Sequence, residues 1–175
     1  MKEESQISTN LVSVIIPTYK RSERLPNAIN SILNQTYPTI EIIIVDDNGL
    51  NEYTTATESQ LKPYIDNNQI KYIKHPKNQG GCIARNTGVQ NANGYYITFL
   101  DDDDFYEPTK VQEQVNFLKN NTQLDACMCA MFRVDENNNE IKSKENFPRG
   151  INLKEAILDG NIFTSMLMIK KNIFD

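Results

Sequence analysis

Short apolar runs alternate with amphipathic segments along about the first 120 residues of the chain. Each run is rich in β-branched residues and is bounded by polar or turn-forming positions, which is typical of buried strands. This pattern predicts four strands, at Leu11–Ile16, Ile40–Val45, Ile70–Ile73 and Tyr95–Leu100. Pro17 is expected to end the first of them.

Helical periodicity fills the intervals between these strands. Apolar residues recur at i, i+3, i+4, i+7 and i+8 from Leu25 to Leu33, which predicts one apolar helix face with Ser22 as its N-cap. Further helices are predicted over Tyr53–Ile65, with an interruption near Pro63, over Gly80–Asn91, and from Pro108 onward. Because strand and helix alternate, we expect an α/β fold with a mainly parallel sheet sandwiched between helices.

The last third of the chain is less regular. A strand is predicted at Leu124–Val134, a short helix at Leu153–Leu158, and another strand at Ile162–Ile169.

Acidic residues follow two of the predicted strands directly. Asp46 and Asp47 follow the second strand, and the stretch YYITFLDDDDFY runs the fourth strand into Asp101–Asp104. In a parallel sheet both clusters lie at the same edge, where such sheets bind their ligands. Two carboxylates about 4 Å apart repel by roughly 4 kcal/mol at an effective dielectric near 20. A divalent cation would turn that repulsion into binding, because hard cations take carboxylate oxygens.

Composition narrows the function further. The chain of 175 residues has a formal net charge of −5, which gives no basic surface for nucleic acid. No apolar run approaches the roughly 20 residues of a membrane span, and the polar N-terminus lacks the apolar core of a signal peptide. His75 is the only histidine, which excludes a multi-histidine metal site and favours a structural role in a loop. The default location is the cytosol.

Several familiar nucleotide and metal motifs are missing from the sequence. No G-x-G-x-x-G follows the first strand, and no G-x-x-x-x-G-K-[ST] is present. An EF-hand that begins at Asp101 fails at Phe105, Tyr106 and Gln112. A haloacid-dehalogenase-type phosphotransferase also places D-x-D after a strand, normally the first rather than the fourth, and it stays open as a weaker alternative.

A set of separated motifs occurs in one order, within VSVIIPTYKRSERLPNAINSILNQTYPTIEIIIVDDN and NQGGCIARNTGVQNANGYYITFLDDDD. Together they resemble the nucleotide-binding half of family 2 glycosyltransferases, over roughly Leu11 to Lys119. The resemblance implies a GT-A fold, which is related to the Rossmann fold.

The resemblance also implies roles at the ends of the first two strands. Pro17 and Tyr19 match the turn that lines the nucleotide pocket in this family. Asp47 matches the acid that accepts a hydrogen bond from uracil in uridine-using members, and Asp46 would support the turn. The alternative for this pair is simple capping of the strand end. Lys20 stands where the family often has asparagine.

The segment before the fourth strand is expected to contribute to the same pocket. Arg85 matches the arginine of the family's ARN segment, and either approaches the nucleotide or forms an ion pair with a strand-end acid. Gly80 and Gly81 either let the backbone pass close to the ligand or form an ordinary helix-entry turn.

The four aspartates match the D-x-D motif of the family. Asp101 and Asp103 are the pair, with Asp103 the better candidate for a direct metal ligand. Asp102 or Asp101 would reach the ribose hydroxyls. The resemblance implies Mn²⁺ or Mg²⁺, which would bridge carboxylate and diphosphate and stabilise the departing nucleoside diphosphate.

As a whole, the resemblance implies an inverting, metal-dependent enzyme. It would transfer sugar from a nucleotide-sugar, with a UDP-sugar expected, to a hydroxyl of a saccharide or lipid-linked acceptor, building a cell-surface polysaccharide or glycolipid. The general base is expected beyond Asp175. Residues 1–10 would be a polar tail and residues 11–175 a single donor-binding domain that stops before the acceptor region.

Two points stay open at this stage. A non-catalytic fragment that binds nucleotide and metal is the main alternative function. The expected location is cytoplasmic, the inner face of the membrane included, with peripheral membrane association through residues outside this chain.

Overall fold

The computed structural model describes residues 10–135, 139–141 and 162–174. The main sheet has six strands, which are β1 (Val12–Thr18), β2 (Ile40–Asp46), β3 (Lys71–Lys74), β4 (Tyr96–Phe99), β5 (Ala126–Met128) and β8 (Leu167–Lys170). Their order across the sheet is β3-β2-β1-β4-β8-β5. The first four are parallel, and β8 is antiparallel to both β4 and β5.

Four α-helices flank this sheet: α1 (Leu25–Leu33), α2 (Glu52–Asp66), α3 (Gly81–Gln90) and α4 (Lys110–Asn120). A separate two-stranded ribbon pairs β6 (Arg133–Val134) with β7 (Glu140–Ile141). Short 3₁₀ helices at Thr164–Met166 and Lys171–Ile173 flank β8. None of the described helices is both long and apolar enough to cross a bilayer.

Alternating side chains of the central strands supply two hydrophobic cores, one on each face of the sheet. Val14, Ile16 and Ile44 point to the face covered by α1, α2 and α4. Ile15 and Ile43 point to the opposite face, which α3 covers. The prediction of an α/β fold with a mainly parallel sheet between helices is therefore confirmed.

Helix α3 approaches the sheet unusually closely. A Cβ atom added at Gly88 would lie 2.3 Å from the Cγ2 atom of Ile15 on β1, so this position needs a residue without a side chain. The contact fixes α3 against the central strand. It thereby fixes Arg85, one turn earlier on the same helix, near the carboxyl end of that strand.

The boundaries differ from the predictions in several places. Pro17 lies inside β1, which continues to Thr18; β1 pairs with β4 only as far as Ile15, so the missing N–H removes no bond on that side. Pro63 lies inside an uninterrupted α2. The N-cap of helix α1 is Arg24, which makes no side-chain capping bond, and not Ser22 as predicted. The helix therefore begins at Leu25, which places a proline in its first turn, where proline is tolerated.

The last third departs most from the predictions. The strand predicted over Leu124–Val134 is two separate strands, β5 and β6, which belong to different sheets. The strand predicted over Ile162–Ile169 begins as a 3₁₀ turn and becomes β8 only at Leu167. The helix predicted at Leu153–Leu158 lies outside the described residues, as does nearly all of the polar tail predicted at 1–10.

Candidate functional site

The carboxyl ends of β1, β2 and β4 meet at one edge of the sheet, as the sequence predicted. Thr18 at the end of β1 is in register with Asp46 at the end of β2. On the other side, the hydroxyl group of Thr18 donates a 2.8 Å hydrogen bond to Asp102, just after β4. Both acid clusters therefore border the same central strand.

The carboxylate of Asp47 is buried and fully hydrogen-bonded. Its Oδ1 atom lies 2.7 Å from Nδ1 of His75 and accepts the backbone N–H of Gln79 at 2.9 Å. Its Oδ2 atom accepts the backbone N–H of Gly80 at 2.7 Å and the side-chain amide of Asn78 at 3.0 Å. With these four donors and an exposure of 2%, Asp47 ties the loop after β3 to the end of β2.

Gly80 is suited to this loop because its φ angle is +91°, a conformation that other residues rarely adopt. The prediction of a structural role agrees with the position of His75. Its ring is buried, and its second nitrogen lies 2.9 Å from the hydroxyl oxygen of Thr87 on α3.

Asp46 also acts within the protein. Its side chain accepts the hydroxyl group of Tyr72 at 2.5 Å and the backbone N–H of Asn48 at 2.8 Å. Burial raises the pKa of Asp46, while these hydrogen bonds oppose the shift. Asn48 in turn accepts the backbone N–H of Lys20, whose φ angle is +57°. Asparagine tolerates this conformation better than lysine.

The four adjacent aspartates have different sets of partners, although Asp102 and Asp103 share Arg21. Asp101 accepts a 2.6 Å bond from Arg85, Asp102 bonds Thr18, Asp103 pairs with Arg21 at 2.5 Å, and Asp104 accepts a 3.1 Å bond from Ser165. A turn closed by the N–H of Asp104 on the carbonyl of Asp101 separates the side chains. The cluster is therefore four distinct positions and not one acidic patch.

Accessibility divides the aspartates sharply. The side chain of Asp102 is 0% exposed, and burial raises the pKa of its carboxyl group, although Thr18 and Arg21 oppose the shift. The side chains of Asp101 and Asp103 are 33% and 34% exposed. Of the two candidates for the ribose hydroxyls, only Asp101 is accessible to a ligand in this conformation.

A cleft of about 400 Å³ opens beside β1. Five of the predicted site residues line it together: Pro17, Tyr19, Asp47, Arg85 and Asp101. Arg21, Asn78 and the two glycines at the start of α3 complete the lining on the polar side. We call this space the nucleotide cleft, after the ligand that the sequence resemblance implies. Asp46 and Asp102 lie behind its wall and do not line it.

A second cavity, of about 490 Å³, lies on the other side of the tetrad. Asp101, Asp103 and Asp104 border it, together with Phe105 and Phe132, whose rings meet edge to face at 6.0 Å. We call it the aromatic cavity. Asp101 lines both spaces, so the two ligand-sized volumes share this carboxylate as a common wall.

Lys110 on α4 lines the aromatic cavity although it is almost completely buried. Its ammonium group donates a 2.7 Å hydrogen bond to Thr98 and lies 3.7 Å from the ring centre of Tyr106. Burial lowers the pKa of Lys110 to about 7. An amine that is only partly protonated near neutral pH thus lies close behind the strand that ends in the tetrad.

The exposed acids fit a divalent cation that is shared with a ligand. Among the residues that the structure describes, no group of three or more His, Cys, Asp or Glu side chains is placed to hold a metal. Mg²⁺ and Mn²⁺ favour carboxylate oxygens, and Mg²⁺ typically uses one or two of them together with phosphate oxygens of a substrate. Asp103, with Asp101 beside it, offers that partial set of ligands.

Sequence reasoning missed several residues at this edge. Arg21 contacts two of the aspartates, and Asn78 bonds the carboxylate of Asp47. Both lie within the two stretches that carry the family resemblance, but the sequence assigned a role to neither. The arginine after Lys20 and the asparagine two positions before the double glycine were the available signals. Lys110 was hidden, since a lysine in a helix of mixed polarity is normally exposed.

Solved structures show which known fold this arrangement belongs to. The UDP complex of residues 1–349 of TarS from S. aureus superposes with a TM-score of 0.74 at 19% identity, over 93% of this chain and 47% of that one. The UDP-GlcNAc complex of the same fragment gives 0.75 over 93% and 46%. A mannosyltransferase from Pyrobaculum calidifontis, in complex with GDP-Man and Mn²⁺, gives 0.59 at 23% identity over 68% and 35%. The fold is that of the GT-A glycosyltransferases.

Sequence comparison then identifies the family. The family model described as glycosyl transferase family 2 matches residues 13–175, and the chain belongs to this family. An uncharacterized glycosyltransferase of Rickettsia conorii is 33% identical over 89% of this chain and 23% of its own length. A putative teichuronic acid biosynthesis glycosyltransferase of Bacillus subtilis is 36% identical over 62% and 42%. The chain thus spans less than half of each of these relatives.

The expected resemblance is confirmed by these findings, and a transferase is the class of enzyme they support. Membership of this family also leaves no support for the phosphotransferase alternative.

Proposed function

We propose that this chain is the donor-binding part of a metal-dependent, inverting glycosyltransferase that uses a UDP-sugar. The observation that carries the proposal is the convergence of Pro17, Tyr19, Asp47, Arg85 and Asp101 on one cleft. These residues come from four separate segments of the chain. Solved proteins of the same fold bind UDP, UDP-GlcNAc and GDP-Man, which supports a nucleotide-sugar as the ligand of the cleft.

The diphosphate would lie at the start of α3. Helix N-termini attract anions through their free N–H groups and the helix dipole, and both glycines there line the cleft. Arg85 adds a full positive charge. Its Nη2 atom bonds Asp101, whereas its buried Nε–H has no hydrogen-bond partner within the described part of the chain. A buried donor without a partner is costly, and a phosphate oxygen would satisfy it.

The base would lie near Asp47 and Asn78. Because Asp47 already accepts four hydrogen bonds, an N–H of uracil must replace one of its donors. Asn78 is the one exposed side chain among them, whereas His75 is buried and the other two donors are backbone groups. We therefore assign Asp47 to the uracil edge on condition that the amide of Asn78 moves aside or itself contacts the base.

Asp103 would hold the metal, with Asp101 beside it and free to accept a ribose hydroxyl. When bound, Mn²⁺ or Mg²⁺ supplies electrophilic stabilisation of the departing nucleoside diphosphate. The residues of this chain bind and orient the donor: Arg85 and the start of α3 hold the diphosphate, and Asp101 positions the sugar nucleotide between the two cavities. The aromatic cavity, which begins on the far side of Asp101, is the space next to the reacting end of the donor.

Transfer itself is proposed for the whole protein, since this chain spans only part of its relatives. The acceptor would be a hydroxyl of a saccharide or lipid-linked saccharide, deprotonated by a carboxylate that we expect beyond Asp175. The relative named for teichuronic acid biosynthesis supports a cell-surface polysaccharide as the product. We propose a cytoplasmic location at the inner face of the membrane, which fractionation of cells that express the whole protein would test.

Isothermal titration of UDP, GDP and dTDP, with and without Mn²⁺, tests the donor site. We expect UDP to bind in the presence of Mn²⁺ and Asp103→Asn to weaken this binding about 100-fold, because a metal ligand is lost. Asp66→Asn is the matched control, since Asp66 is an exposed acid on α2 that pairs with Lys62. Equal UDP binding by wild type and Asp103→Asn would contradict the assignment. Binding without any transfer by the whole protein would favour the non-catalytic alternative.

A further inference from the structure

Arg21 holds two carboxylates of the tetrad at the same time. Its Nη2 atom lies 3.0 Å from Oδ1 of Asp102, and its Nη1 atom lies 2.5 Å from Oδ2 of Asp103. The side chain of Asp102 is completely buried, whereas that of Asp103 is about one-third exposed. The guanidinium group therefore bridges a buried anion and an accessible one.

Of the two contacts, the one with Asp102 is required by burial. Oδ2 of Asp102 accepts the hydroxyl group of Thr18, but Oδ1 has no hydrogen bond of good geometry within the described residues. The charge of Arg21 is thus what compensates this buried oxygen, and a buried charge without compensation is costly. The contact with Asp103 lies at the surface, where an ion pair contributes little and can exchange.

Arg21 also lines the nucleotide cleft, and 47% of its side chain is exposed. A ligand in the cleft can therefore reach the same guanidinium group that pairs with Asp103. Arginine binds phosphate groups through two parallel hydrogen bonds, which are stronger than a single contact to an exposed carboxylate.

We propose that Arg21 is the internal counter-ion of Asp103 and that it couples metal binding to nucleotide binding. The inference rests on the proposed function. In the free protein the guanidinium group occupies Asp103, so a divalent cation must displace it. A diphosphate in the cleft attracts the guanidinium group away from Asp103. The carboxylate of Asp103 is then available to the metal. Metal and nucleotide then favour each other's binding by the same factor, because such coupling is reciprocal.

The test is the affinity for Mn²⁺ alone, measured from the electron paramagnetic resonance signal of free Mn²⁺, and then repeated with saturating UDP. We expect Arg21→Met to bind Mn²⁺ alone about fivefold more tightly, the upper value for an exposed ion pair. The factor by which UDP tightens Mn²⁺ binding should fall by the same amount. Arg24→Met is the matched control, because Arg24 is exposed and forms no ion pair within the described residues; both quantities should stay unchanged.

Two further variants keep the test decisive. Arg21→Lys retains a cation for Asp102 but lacks the planar set of donors with which arginine holds both carboxylates, so it should shift both quantities in the same direction by a smaller factor. The double variant Arg21→Met with Asp103→Asn should lose the gain in Mn²⁺ affinity, since Asp103 is the group that is released. Circular dichroism establishes that each variant is folded.

Unchanged or weaker binding of Mn²⁺ alone in the folded Arg21 variants would overturn the inference, as would an unchanged effect of UDP. Failure of UDP to bind the wild type with Mn²⁺ present would instead contradict the proposed function. The comparison with Mn²⁺ alone would still decide whether Arg21 competes for Asp103.

Discussion

The two acid clusters at this edge of the sheet look alike in sequence and differ in structure. Asp46 and Asp47 follow β2, are 1% and 2% exposed, and bond to groups within the protein. The tetrad follows β4, and its Asp101 and Asp103 remain accessible and pair with arginines that line the nucleotide cleft. We call the first the closed cluster and the second the open cluster.

The difference lies in the loops that face each cluster. The loop after β3 supplies Asp47 with two backbone N–H groups, a histidine ring and an amide, which is enough to saturate a carboxylate. In the open cluster, Asp101 and Asp103 are held by guanidinium groups on long side chains and Asp104 by the hydroxyl group of Ser165. A carboxylate at a strand end is therefore available to a ligand where an exposed side-chain partner can leave, and structural where its partners are backbone or buried groups. Asp47 in the closed cluster has one such exposed partner, Asn78.

The largest expected effect concerns stability at the closed cluster. Asp47→Asn removes a buried charge-assisted network and places an amide N–H against groups that themselves donate, so it should lower the free energy of unfolding by about 3 kcal/mol. Asp103→Asn in the open cluster should change it by less than about 0.5 kcal/mol. Urea unfolding at pH 7 measures both, and similar losses for the two variants would break the distinction.

Lys110, the buried lysine behind the open cluster, should make the free energy of unfolding depend on pH. The pKa of Lys110 is about 7 when folded, below its ordinary value of 10.5, so above pH 7 the unfolded chain binds more protons at this lysine. This lysine therefore destabilises the fold most below pH 7, and stability recovers as the pH rises towards 10.

Lys110→Met should abolish that dependence. Between pH 7 and 9 the wild type should gain about 2 kcal/mol relative to this variant, since one proton corresponds to about 1.4 kcal/mol per pH unit. Burial also raises the pKa values of the neighbouring Tyr106, Cys127 and Cys129, so these groups stay neutral over most of this range. Parallel stability curves for the two proteins would show that Lys110 remains protonated.

The next smaller effect concerns Asp102, the buried member of the open cluster. Thr18→Val removes the hydrogen bond to Asp102 and leaves a buried carboxylate oxygen without a donor, which should cost about 1.5 kcal/mol. Thr98→Val would not be a clean control, because Thr98 binds Lys110; Thr55→Val, on the exposed side of α2, is suitable. No loss of stability on thermal unfolding would mean that Asp102 is neutral or solvated.

The smallest effect concerns the turn after β1, which contains Lys20. Lys20 has a φ angle of +57°, and Asn68 a similar one of +53°. Lys20→Asn should raise the free energy of unfolding by about 0.5 kcal/mol, because asparagine tolerates this conformation better. The reverse change at the other position, Asn68→Lys, should lower it by a similar amount. Changes of the same sign would show that side-chain contacts, such as those of Lys20 with Tyr19 and Tyr53, decide instead.

The sequence sufficed for the four parallel strands and the helices between them, because this part of the architecture depends on the alternation of strand and helix. Apolar runs and helical spacing predicted the four parallel strands, and the strand-end position of the acids predicted their common edge. Pro17 was predicted to end β1 but lies inside it. A proline is tolerated there because the pairing of β1 with β4 already ends at Ile15. That fact belongs to the pairing of strands and not to local sequence.

The candidate site could be predicted by residue type but not by partner. Arg85 was expected to bind either nucleotide or a strand-end acid; it pairs with Asp101 and also lines the nucleotide cleft. Which of four adjacent aspartates turns inward depends on Thr18, and the saturation of Asp47 depends on a loop some 30 residues further along the chain. Such long-range contacts leave no local pattern in a single sequence.

The order of strands also determines when the nucleotide cleft can form. β1, β2 and β3 follow one another in sequence and are neighbours in the sheet, so this part assembles once each strand pairs with the next one along the chain. β4 returns to the other side of β1, and the bond from Thr18 to Asp102 joins residues 84 apart. During synthesis from the N-terminus, we therefore expect a chain that has reached Gln90 to contain the loops around Asp47, and to lack the complete nucleotide cleft until β4 has paired and brought in Asp101.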